Sequence, residues 1–275
     1  MTHKNLSSWS LYFFKDFKAW HLLLSLLLTF CSVSLADEWQ DKNYILDSFK
    51  RIALSSEYLD HTPQLRKWQS PIRFQFHHDV GDAELHEKLS NIHLTHLSTI
   101  TGHQIEPVSN SHSANLQIIF TEESTILSYL GTRQHLSPEL AKQLSRNSVC
   151  IANLTANQRG EIQHAVVLIP VNRARAHAKL LACIVEELTQ VMGLPNDDAA
   201  VFPSIFNDLS HDDFLSGLDY ILLKLLYHPA LKPGMGEQES EAAIRQVMQG
   251  KAFQQWLEKA YHAVYEQGLY PLMGN

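Results

Sequence analysis

Apolar residues recur along this chain with two periods. Pro71-Ile72-Arg73-Phe74-Gln75-Phe76 alternates apolar and polar, which predicts a strand over 71–76. Asn115 to Phe120 predicts a second, Cys150-Ile151-Ala152 begins a third, and Glu161 to Pro170 makes the strongest, after a turn at Gln158-Arg159-Gly160. Elsewhere the spacing is helical. Ile45, Phe49 and Ile52, with Leu46 and Ala53, predict a helical segment within 37–66. Leu85, Leu89, Ile92, Leu97 and Ile100 mark the expected buried stripe of a helix over 82–100, stopped by Gly102. A long helix is expected from Arg175 to Met192, ended by Gly193, with others over 216–227, 237–249 and 251–267. Residues 121–147 read as loop with a short helix after Ser137-Pro138. This order predicts α+β or α/β with a mixed sheet. The main domain is expected over 67–235, with a helical segment (37–66) before it and C-terminal helices (236–275) after it.

The first 36 residues depart from that pattern. Lys4, Lys15 and Lys18 precede an apolar run from His21 to Phe30, and Ser34-Leu35-Ala36 offers small residues for cleavage before Asp37. This is the layout of a secretory signal peptide over 1–36, with periplasmic or secreted localisation expected. The apolar run is short against the roughly 20 residues of a spanning helix. A membrane association is expected only if this segment stays uncleaved. Cys31 follows bulky Phe30, which does not suit lipidation.

Composition narrows the partners. The 275-residue chain has 22 basic and 29 acidic residues, a formal charge of −7. Removal of a leader holding three lysines and one aspartate takes it to −9. No basic patch stands out, so nucleic acid is not an expected partner. Beyond the leader the cysteines are Cys150 and Cys183. In an oxidising compartment such a pair reads as a disulfide, with two buried thiols as the alternative.

The stretch richest in chemistry is Glu186-Glu187-Leu188-Thr189-Gln190-Val191-Met192-Gly193-Leu194-Pro195-Asn196-Asp197. Residues four apart share a helix face, so Glu186 and Gln190 point the same way. Gly193 allows a sharp turn that returns Asn196 to the same point. Zinc proteases arrange two His at i and i+4, an intervening Glu as general base, and a third ligand after a glycine turn.

The stretch resembles that arrangement with each histidine replaced: Glu186, Gln190 and Asn196 stand at the ligand positions, and Glu187 at the general-base position. Pro203-Ser204-Ile205-Phe206-Asn207 resembles the turn beneath the metal in metzincins, where a methionine normally stands at Phe206. Leu215 to Tyr220, running into Leu225-Leu226-Tyr227, resembles the C-terminal helix of matrix-type metzincins. The likeness implies a zincin fold, with a mixed sheet and a long central helix. It also implies a sheet-edge strand ending at Ile169 that can pair with an extended peptide. The chain is similar, more specifically, to a proteobacterial family known as the domain of unknown function 2927. It shares with it Cys183, Glu186-Glu187, Gln190, Gly193-Leu194, Asn196-Asp197, Ser204 to Asp208, Asp219, Leu226-Tyr227 and Gly234-Met235. That likeness implies fold and export and no activity.

Amide and carboxylate oxygens are poor substitutes for imidazole at zinc. No cofactor is expected. A hard cation such as calcium suits the oxygen set better, and Asp197, Asp198 or Asp208 would add carboxylates if the loop folds inward. Three readings stand at this point. One is a non-catalytic, metzincin-like module binding an extended peptide or a cell-envelope component. Another is a periplasmic hydrolase, acting on peptide or cell wall, that uses Glu187 as base with a non-zinc metal or none. In the third, Glu186, Gln190 and Asn196 form an inert polar cluster. The histidines are expected to play no such part. His86, His93 and His96 read as solvated helix residues, His77-His78-Asp79 as loop, and His211-Asp212-Asp213 as a cap before the 216–227 helix.

Overall fold

One six-stranded mixed sheet organises the fold. The computed structural model describes residues 38–54, 63–132, 137–210 and 212–273; the leader, Cys31 and His211 lie outside them. The strands are β1 (Lys67–Trp68), β2 (Ile72–His78), β3 (Ile105–Pro107), β4 (Leu116–Thr121), β5 (Ile151–Ala156) and β6 (Glu161–Pro170). β3, β2, β4 and β6 lie side by side in parallel, and β1 pairs in parallel with the start of β6. β5 runs antiparallel to β6 and, among the described residues, pairs with it alone. The parallel pairs need helical crossovers, and the chain supplies them.

The helices are α1 (Lys42–Phe49, continuing as a wider turn through Lys50–Leu54), α2 (Ala83–Thr101), α3 (Ile126–Thr132) and α4 (Pro138–Asn147). They continue as α5 (Val171–Ala176), α6 (Leu180–Gln190), α7 (Gly217–Leu226), α8 (Glu237–Val247) and α9 (Lys251–Tyr265). None of the described helices is long and apolar enough to cross a membrane.

Strand alternation divides the core between the two sheet faces. Ile118, Phe120, Val167 and Ile169 face the main core with α1, α2, α6 and α7. Ile119 and Leu168 face the opposite way, under α3 and α4. Parallel strands covered on both faces explain the near-continuous apolar run of β6. α7 is buried almost all round. Its start is fixed by a capping box: the Asp219 carboxylate accepts from the Ser216 amide, while Ser216 Oγ accepts from the Asp219 amide.

Several elements differ from the pattern read in the sequence. The helix expected from Arg175 begins instead at Leu180. Arg175 closes short α5, and Ala178, with a left-handed φ of 55°, breaks the chain between the two helices. His77 and His78 end β2 and are not loop. On α2, Leu85 is exposed, whereas His86, His93 and His96 are buried. Neutral imidazoles can be buried where they find partners. His93 Nε2 lies 3.0 Å from Thr189 Oγ1, and His96 Nε2 lies 2.8 Å from the Ala263 carbonyl. β1 and β3 are too short to leave a periodic signal.

Candidate functional site

α6 is buried on nearly every side, with Glu186 half-buried at the margin. Its end is held from outside. Trp68 Nε1 donates to the Val191 carbonyl at 2.7 Å, and the Tyr227 hydroxyl donates to the Met192 carbonyl at 2.9 Å. Gly193, at φ 114°, then turns the chain back along the helix. Cys150, just before β5, is disulfide-bonded to Cys183 on α6, which fixes the start of β5 against the helix.

The returning loop is cross-linked from within. Asp198 N donates to the Phe206 carbonyl, and Asn207 Nδ2 donates to the carbonyls of Ala199 and Val201. Ser204, Ile205 and Phe206 form the turn under the loop, with Phe206 in the core. Asp219 holds that turn: Ser204 Oγ donates to it at 2.6 Å and the Ile205 amide at 3.0 Å. Burial pushes the Asp219 carboxyl up to about 6, partly opposed by these donors.

The loop brings three carboxylates together. Glu186, Asp197 and Asp208 each offer an oxygen, all within 4.8 Å of one another. Gln190 Nε2 donates to Asp197 Oδ1 at 2.8 Å. Burial raises the Glu186 pKa well above the usual carboxylate range, and the charges of Asp197 and Asp208 add to the effect. Glu187 is buried and raised in the same sense, first by burial and then by Glu186, Asp197 and Asp208. The Ala152 amide on β5 donates to its carboxylate, but Oε2 has no partner.

These acids line a cavity of about 620 Å³. One wall comes from α4, with Leu140, Gln143, Leu144 and Asn147, and the facing wall from α6. Those helices cover opposite faces of the sheet, so the cavity crosses the edge of β5. Cys150, Ile151, Ala152, Asn153 and Leu154 all line it. Consecutive strand residues point to alternate faces, and only an edge can present five in a row. Arg66 and Lys179 bring positive charge to the lining.

The expected ligand set is therefore regrouped. Glu186 and Gln190 share a face as their spacing requires, but Asn196 is not with them. Its Nδ2 donates to the Arg51 carbonyl at 2.9 Å, tying the loop to the turn after α1. Asp197 takes the expected place, and Asp208 joins it; Asp198 is turned away to Arg51. The strand beside the site is also different. β6, expected as the edge, is paired on both sides by β4 and β5, so the edge belongs to β5. Asp212 lines the cavity, while the helix cap is Ser216. Sequence reasoning passed over Lys179, although it stands two helical turns before Glu186, and Arg66, which carries no local signal. Among the described residues no histidine lines the cavity, and the carboxylate and amide oxygens there are donors of the kind that hard cations take.

An α+β domain with an acidic cavity across a sheet edge is thus the class of protein defined here. Residues 42–246 match the family described as "Protein of unknown function (DUF2927)", and the chain belongs to that family. No curated protein and no solved structure matches it.

Proposed function

We propose that this is an exported, zincin-like module that binds an extended peptide, or a peptide-bearing cell-envelope component, along the outer edge of β5. The edge is the observation that carries the reading. The Ala152 amide points away from β6, to Glu187. With a strand period of two, the Leu154 amide faces the same way and can donate to a bound backbone carbonyl. The zincin likeness is supported by Glu186 and Gln190 on one face of α6, the glycine turn and the buried Ser204–Phe206 turn. Export is supported by the leader pattern and by the disulfide, which persists in oxidising compartments.

The test is Leu154→Pro, which removes that amide at an edge position where proline is tolerated. Affinity for peptides selected from an extended-peptide library should fall about tenfold or more, with melting little changed. As a second arm, ester replacement of alternate peptide amides should weaken binding at every other position only. Absence of saturable binding of any peptide or peptidoglycan fragment to the wild-type chain sinks the reading.

A hydrolase is the second reading, favoured by Glu187 alone. A buried carboxyl of a cavity-lining residue, biased toward its protonated form and with one oxygen that has no hydrogen-bond partner, is suited to proton transfer. Hydrolysis of casein or peptidoglycan that disappears in Glu187→Gln would establish it.

A further inference from the structure

We infer that Glu186, Asp197 and Asp208 hold one divalent cation of the calcium class. The inference is independent of whether β5 takes a peptide. Three carboxylates from a helix and from the two ends of a loop meet with their oxygens within 4.8 Å of one another. Like charges repel, and among the described residues no lysine or arginine nitrogen is within ion-pair distance of Glu186 or Asp208. Lys179, whose charge eases Glu186, is instead 3.9 Å from Asp213.

The loop is built to keep the carboxylates there. The Asp198 amide to the Phe206 carbonyl, and the Asn207 side chain to Ala199 and Val201, join the segments that carry Asp197 and Asp208. Gln190 is a positioning residue, donating to Asp197 Oδ1. A second observation is independent of the cluster. Glu187, only 5% exposed, lines the same cavity, and its Oε2 has no hydrogen-bond partner. A buried oxygen without a donor is costly, and a cation held in the same cavity would offset that cost through its charge.

The donor chemistry selects the ion. All the offered atoms are carboxylate or amide oxygens, which suit hard cations. Calcium accepts six to eight oxygens at about 2.3–2.6 Å, so oxygens across its shell lie roughly 5 Å apart; across magnesium they lie roughly 4 Å apart. Three oxygens within 4.8 Å of one another fit inside a calcium shell, whose tolerance of irregular geometry suits ligands drawn from separate segments. Exposed Asp208 leaves the solvent side open for waters to complete it.

The experiment is calorimetric titration of the chelator-treated mature chain with calcium chloride, with thermal melting followed in parallel. One saturable site is expected, with Kd between about 10⁻⁶ and 10⁻³ M, and a rise in melting temperature. Asp208→Asn alters an exposed side chain and should fold normally while binding about tenfold more weakly or worse. Glu186→Gln should do the same. Sodium chloride at matched ionic strength should not reproduce the shift. No calcium-dependent heat in the wild-type chain, equal binding by Asp208→Asn, or an equal shift with sodium chloride each overturns the inference. Peptide binding lost with calcium binding intact would instead count against the β5 reading alone.

Discussion

Gly193 passes so close to Arg66 that a Cβ on it would lie 2.2 Å from the Arg66 carbonyl oxygen. The obstacle is backbone, which cannot swing aside as a side chain would. Gly193 also sits at φ 114°, where side chains are strained. One glycine therefore permits two things at once: the turn after α6, and the approach of the segment entering β1.

Gly193→Ala should therefore cost at least about 2 kcal/mol of stability. Urea unfolding monitored by tryptophan fluorescence provides the check. A midpoint within error of wild type would show that the close approach is not required.

The disulfide closes a loop with a sequence separation of 33 and joins β5 to α6. Replacing both Cys150 and Cys183 by Ser should lower stability by about 2–4 kcal/mol. It should also loosen the edge of β5, raising amide exchange at Ile151 and Ala152 above that of β4. Uniform exchange across the sheet would mean that other contacts hold the edge.

His93 predicts an acid limb. Burial, with a smaller contribution from neighbouring His96, pushes its pKa down from 6.5 to about 3. Below pH 6.5 the unfolded chain takes up a proton that the folded chain refuses, so stability falls as pH falls. The loss from this residue is up to about 1.4 kcal/mol per pH unit, continuing to about pH 3. His96, His78 and His86 are lowered in the same direction by burial, so the useful quantity is the difference between chains. His93→Leu should narrow its stability deficit, or reverse it, between pH 7 and pH 5. A difference that does not change with pH would mean that His93 does not titrate against folding.

The legible parts of the site were those encoded within one element. Glu186 and Gln190 share a face because four residues make about one helical turn. Gly193 marked a turn, Cys150 and Cys183 their own bond, and Ser204 to Phe206 the buried turn ahead of α7. The main strands showed through their alternation, and α2 through its glycine stop. The stripe on α2 was misjudged because hydropathy treats histidine as a surface residue. Burial of His93 and His96 depends on Thr189 and the Ala263 carbonyl, far away in sequence.

Local pattern by itself determined the main strands and most of the longer helices, where the acidic helix ends, and which residue types are available there. It could not determine what faces what. Whether Asn196 or Asp197 returns to Glu186 depends on the Arg51 carbonyl that captures Asn196. Asp208 reaches the cluster only because the loop is bonded to itself. β6 is apolar over most of its length and β5 carries Asn153 and Thr155, but which strand closes the sheet beside the site was settled only by pairing, with β6 interior and β5 the edge. These outcomes rest on hydrogen bonds and packing between distant segments, which exist only once the chain has folded.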